Sequence, residues 1–300
     1  MIEFLVCILV TTCIGAGFKL FSRYGIGTFN AIVVNYLICL ILGTLIDPKA
    51  SLPFSLDTLH KPWFKYDVIL GVLFIGGFYL TAIAIQKTGI TLTTLMQRMS
   101  IVLTVSFAVL MFHEHFGWLE ASGLVLAILA ILAINQKETT GTKRKAGLFP
   151  PILLAVLVIA ATIEILLLYV EKSGVTGNDQ MAFTTHGFGC AAVFGLISLI
   201  WTSLRQKHAF PLKDALAGIL LGLPNYFSIY LLLSMLNQGW KGSVMYPMVN
   251  LSVLLLSTGV AVIAFREKLN RVNWLGIVLA SMAILIIAFA HNYPDWKISF

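Results

Sequence analysis

The chain alternates long apolar runs with short polar breaks. A helix needs about 20 apolar residues to cross the hydrocarbon core of a bilayer. Bounded by charged and turn residues, ten such runs fall near 3–22, 28–46, 67–86, 91–112, 117–135, 148–170, 180–203, 214–236, 242–265 and 271–290. The pattern predicts an all-α integral membrane protein with ten transmembrane helices. The seventh run, with Gly187, Gly189 and Gly195, is the least uniform. Only "HEHFG" (113–117) separates the fourth run from the fifth, and "REKLNR" (266–271) the ninth from the tenth. Two breaks are long. "DPKASLPFSLDTLHKPWFKYD" (47–67) holds three prolines and predicts a short interfacial helix. "QKETTGTKRKAG" (136–147) is polar and lies near the chain midpoint.

One pattern is written twice. "FHEHFGWLEASGLVLAILAIL" (112–132) aligns without a gap to "FREKLNRVNWLGIVLASMAIL" (265–285), at an offset of 153 residues and with nine of 21 positions identical. Five runs lie on each side of the 136–147 linker. The expected organisation is therefore a five-helix repeat at 1–135, the linker, a second repeat at 148–290 and a tail at 291–300. Five is odd, so the second copy enters the membrane inverted relative to the first. Inverted repeats build transporters whose halves rock about a midplane site.

Composition agrees with lipid as the solvent. Of the 300 residues, 59% are hydrophobic and 11% charged, against about 25% charged in a soluble domain. The net charge of +7 comes mostly from basic residues in short connections. Basic connections orient membrane proteins, and no extended basic tail or RNA-binding motif points to nucleic acid. The first run carries Glu3 and lacks a basic leader, so it reads as a retained span and not as a cleaved signal peptide. Cys7, Cys13, Cys39 and Cys190 lie in apolar runs without metal spacing. "HEH" at 113–115 lacks the i, i+4 geometry of a zinc helix. The pattern calls for no cofactor and no metal.

Ionisable groups inside spans are costly and usually face a cavity or a partner. Thr91, Thr94 and Arg98 share a stripe at i, i+3, i+7. A guanidinium there suits a substrate carboxylate or phosphate, or a structural ion pair, or a side chain snorkelling to the surface. Glu164, in "ATIEILLLY", is the candidate for proton coupling, the alternative being a fixed ion pair. His186 is a second coupling candidate, or a hydrogen-bonded structural histidine. Ser243, Tyr246 and Asn250 form a stripe in the ninth span. Tyr226 and Tyr230 lie at i, i+4 in the eighth, beside Asn225. Tyr79 and Gln86 are seven apart in the third. Each can be helix-packing glue. Together, Arg98, Tyr79, Tyr226, Tyr230, Tyr246 and Asn250 predict a cavity for a small polar or aromatic solute. Pro224 and Pro247 are expected to interrupt two of these helices.

The stretch "AIAIQKTGITLTTLMQRMSIVLTVSFAVLMFHEHFGWLEASGLVLAILAILAI" resembles the hallmark of the drug/metabolite transporter superfamily, EamA-like branch. "MYPMVNLSVLLLSTGVAVIAFREKLNRVNWLGIVLASMAILII" resembles it too, and Lys19 falls where that family often has a lysine late in its first helix. The family often has Ser-Pro where this chain has Ser100-Ile101, and Gly where His113 and Arg266 precede the glutamates. The resemblance implies a small-metabolite transporter and no single substrate; the expected function is an exporter or exchanger of small organic metabolites such as amino acids, working by alternating access in a bacterial inner membrane. The resemblance also implies both termini inside, whereas the charge bias favours both outside. With the N-terminus inside, inner segments hold six basic residues and outer ones thirteen. The rival readings are an intramembrane enzyme, which needs a nucleophile–base pair or a metal cluster at depth, and a passive channel, which needs one continuous polar path. Neither enzyme spacing is found. The implied partners are a small-molecule substrate, the bilayer and coupling protons.

Overall fold

The computed structural model describes residues 2–46, 56–88, 93, 96–113, 117–134, 151–177, 179–206, 210–265 and 271–292. Among the described residues every regular element is a helix. In chain order these are α1 (Ile2–Tyr24), α2 (Thr28–Ile46), α3 (Leu56–Leu59), α4 (Phe64–Thr88), α5 (Ser100–Phe112), α6 (Trp118–Ile134), α7 (Pro151–Lys172), α8 (Gln180–Gln206), α9 (Leu212–Asn237), α10 (Gly242–Phe265) and α11 (Arg271–Asn292). Ten overlap the ten apolar runs, α5 only from Ser100 onward, and α3 lies in the 47–67 break. Seven of them, α1, α2, α4, α7, α8, α9 and α10, are long and apolar enough to cross a membrane. The chain is an integral membrane protein. Its outward faces carry Leu5, Leu9, Leu110, Leu220 and Ile263, and exposed tryptophans stand near helix ends at Trp118, Trp201 and Trp274. Lipid accepts the aliphatic faces, and the amphipathic indole suits the membrane–water boundary.

Pro224 and Pro247 do not break their helices. Both sit inside continuous α9 and α10. Membrane helices tolerate this because neighbouring groups and local adjustments satisfy the carbonyl that proline releases. His113 ends α5 in the left-handed conformation (φ 49°, ψ 36°), a backbone state that costs glycine nothing.

The helices gather into two compact units. One comprises residues 1–83 and 162–239, the other 84–161 and 240–300. Each unit draws helices from both halves of the sequence.

In the first unit α9 packs on α2 through Gly218 and Gly222. A methyl carbon at Gly218 would lie 2.5 Å from the Ala31 carbonyl oxygen, and one at Gly222 would lie 2.6 Å from Ile38 Cβ. Glycines four apart let two backbones approach where lipid supplies no hydrophobic drive between helices. Gly71 does the same for α4 on α8, since a methyl carbon there would lie 2.6 Å from Cys190 Cβ.

In the second unit α6 packs along α11. Gly123, Ala127 and Ala130 are buried on α6; Gly276, Ala280 and Ala283 are buried on α11. These are corresponding positions of the 153-residue repeat. Ile101 and Val105 of α5 and Leu251 and Leu254 of α10 complete the same core. Both copies of the repeated sequence thus present one small-residue stripe to a shared seam.

Candidate functional site

The core of the first unit is aromatic. Tyr36 of α2 stacks with Phe74 of α4 (6.2 Å between ring centroids) and with Phe188 of α8 (6.0 Å). Phe188 meets Tyr226 of α9 at 6.0 Å, and Tyr226 stacks on Tyr230 at 6.1 Å with rings 4° from parallel. The i, i+4 spacing of the two tyrosines thus becomes a stacked pair. Polar groups are buried beside this ladder. Asn35 and Asn225 both lie near the Cys39 thiol, which donates to the Gly222 carbonyl at 3.3 Å. The Nδ2 atoms of Asn35 and Asn225 and the hydroxyl of Tyr36 are buried without a hydrogen-bond partner among the described residues. Buried donors are nearly always satisfied, so three orphans within one aromatic core mark a place where a solute oxygen could be held.

The other residues expected in this unit are placed differently. Tyr79 is 45% exposed and packs edge-on against Phe29. His186 is buried, and its Nδ1 pairs with the Ala182 carbonyl one turn back on its own helix at 2.6 Å. Glu164 is half-buried on α7.

In the second unit Arg98 Nη1 donates to Asn250 Oδ1 at 2.5 Å. Ser243, Tyr246 and Asn250 of α10 are all buried. The two partners lie 152 positions apart in the sequence. Thr91, Thr94, Glu114 and Glu267 lie outside the described residues, and so does the side chain of Gln86.

Outside the spans, Lys61 binds Asp179 at 2.8 Å, and Trp63 Nε1 donates to the same carboxylate at 3.3 Å. The Lys61 contact, aided by Trp63, holds the Asp179 carboxyl below its usual range.

Sequence reading passed over Asn35, Tyr36 and Asp67. An amide in "VVNYLICLILG", four residues before a cysteine, was a usable signal. Asp67 stands at the edge of an apolar run in the sequence. It is wholly buried.

Residues 1–136, from α1 to the end of α6, match the EamA-like transporter family. An uncharacterised protein of Haemophilus influenzae is 27% identical over 224 residues, 73% of this chain and 74% of its own. Protein RarD of Streptomyces exfoliatus is 25% identical over 150 residues, 40% of this chain and 47% of its own. A solved crystal structure superposes with a TM-score of 0.73 over 98% of each chain, at 15% identity, which speaks for the fold alone. The EamA-like segment contains α2 and α4, hence Asn35, Tyr36, Phe74 and Asp67.

Proposed function

We propose that this EamA-like protein is a transporter of small organic metabolites, with amino acids the first class to test. It works as an exporter or exchanger in a bacterial inner membrane, by alternating access between two inverted five-helix repeats. The observation that carries the substrate reading is the set of buried donors, Asn35 Nδ2, Asn225 Nδ2 and Tyr36 OH, beside stacked aromatic rings. Such groups hydrogen-bond solute oxygens while the rings cover its apolar part. The repeat reading is supported by corresponding helices meeting: α6 with α11, and α5 with α10. In the second unit Arg98, held by Asn250, is proposed as a separate contact for an anionic or zwitterionic solute. Tyr79, Tyr226 and Tyr230 are the tyrosines proposed for the first unit, and Tyr246 the one proposed for the second.

The test is uptake and exchange of a labelled panel in proteoliposomes, with and without a pH gradient. The panel covers neutral, acidic and basic amino acids and a hydrophobic cation. At least one solute should move faster than in protein-free vesicles. Arg98→Ala should lower transport of an anionic or zwitterionic solute roughly tenfold, the loss of about 1.4 kcal/mol, and leave a cation unaffected. A panel that moves no faster than in empty vesicles sinks the reading.

A further inference from the structure

Two aspartates lie in the first turns of their helices. Asp67 begins α4 as "DVILG", with Gly71 four residues on; Asp214 begins α9 as "DALAG", with Gly218 four residues on. In each helix the glycine lets the backbone press on a neighbour, α8 for Gly71 and α2 for Gly218. Both carboxylates are buried. Only one is answered. Asp214 accepts from the Gly27 backbone N–H at 2.9 Å and from Asn30 Nδ2 at 2.8 Å.

Neither oxygen of Asp67 has a hydrogen-bond partner among the described residues, and the residue is 0% exposed. Being in the first helical turn does not rescue it. The nearby backbone donors are already used: Phe64 N–H on the Lys61 carbonyl, Tyr66 N–H and Asp67 N–H on the Trp63 carbonyl. Its carboxylate faces Gly187 of α8, where a methyl carbon would lie 3.3 Å from Oδ1, with Phe74 alongside. The titratable group of α8 that bears on it is the Cys190 thiol. His186, next to Gly187, pairs with Ala182 and packs its ring on Trp63 at 5.4 Å. On its own side Lys65 lies over the Tyr66 ring at 4.9 Å, Tyr66 packs against Tyr169 of α7, and Lys61 is committed to Asp179.

A charged carboxylate left without donors is costly, and Asp214, in the first turn of α9, has its donors. We propose that Asp67 is a proton-binding site whose carboxylate takes up one proton to become a neutral carboxyl and returns it as transport proceeds. The coupling half of this statement rests on the transporter reading above; the proton site does not. A proton needs one oxygen, whereas a metal ion needs several oxygen ligands, and the neighbours here are a glycine, a thiol and an aromatic ring. Asp67 is one turn from Trp63, which bonds the exposed Lys61–Asp179 pair.

The experiment is an infrared pH titration of the full chain in lipid vesicles. It follows the stretch of the protonated carboxyl, a region free of cysteine and histidine signals. A band that grows as pH falls should be present in the wild type, lost in Asp67→Asn and kept in Asp214→Asn and Glu164→Gln. A band unchanged in Asp67→Asn, or lost instead in Glu164→Gln, overturns the proposal. Should Asp67→Asn fail to accumulate, Gly187→Ala decides: its methyl reaches Oδ1, so an Asp67 band shifts in frequency, and an unshifted band overturns the assignment. For coupling, a panel solute that moves in the wild type should lose its dependence on the pH gradient in Asp67→Asn while solute-for-solute exchange continues. Retained gradient dependence overturns the coupling. If nothing moves in the wild type, the transporter reading fails, and the infrared band still decides the proton site.

Discussion

Replacing Asp214 by alanine strands two donors, the Gly27 N–H and Asn30 Nδ2, at the junction of α2 and α9. Each buried group left unsatisfied costs about 1–3 kcal/mol. Asp214→Ala should therefore melt well below the wild type in detergent, and Asp214→Asn, which keeps an acceptor oxygen, should melt between them. Equal melting of all three would mean that water reaches the junction. Asp179 is a milder case. Its carboxyl sits below the usual aspartate range because Lys61 and Trp63 bind its charged form. The stability this adds is in place above the ordinary aspartate range and is lost as pH falls through the lowered folded value. Both partners are substantially exposed, at 45% and 36%, so solvent screening leaves the contribution small. Lys61→Met should flatten a shallow acid-side fall in melting temperature and leave the neutral value nearly unchanged. This scale was the least legible in the sequence. Arg98 and Asn250 were both visible as polar groups in apolar runs, but nothing local says that they bond each other. Asp67 read as the edge of a run because a carboxylate usually ends one. Its burial depends on α8, more than a hundred residues away.

At the level of helices, spacing carried much more. Lipid makes the apolar runs long and their ends sharp, so ten runs could be placed from the pattern along the chain. The prolines misled, because a proline in water breaks a helix that a membrane can keep. Glycines sort by what surrounds them. Gly218 and Gly222 seat α9 on α2, while Gly15 and Gly76 have nothing within 4 Å of a would-be methyl. Gly218→Leu should abolish accumulation of folded protein, since its Cβ alone would meet the Ala31 carbonyl and Val34. Gly76→Ala should fold normally and gain about 0.5–1 kcal/mol from helix propensity. Thermal unfolding of the two variants in one detergent checks both. A tolerated Gly218→Leu would mean that α2 and α9 do not touch as described.

Across the whole molecule, the division expected at residues 136–147 is not the one the compact units follow along the chain. Each unit takes helices from both sides of residues 136–147. Sequence order alone cannot reveal this, because lipid-facing and helix-facing sides of a span are equally apolar. The repeat was the available clue, and its meaning lies in the seam of Gly123, Ala127 and Ala130 against Gly276, Ala280 and Ala283. That seam also sets a timetable for synthesis. α6 ends at Ile134 and α11 begins at Arg271, so about 140 residues are translated between them, which at about 5–20 residues per second takes on the order of ten seconds. Throughout that interval α6 stands in the bilayer with its small-residue stripe uncovered. A nascent chain therefore offers its neighbours on the same ribosome cluster an adhesive groove, and a newborn α6 can dock with its twin on another chain before its own α11 exists.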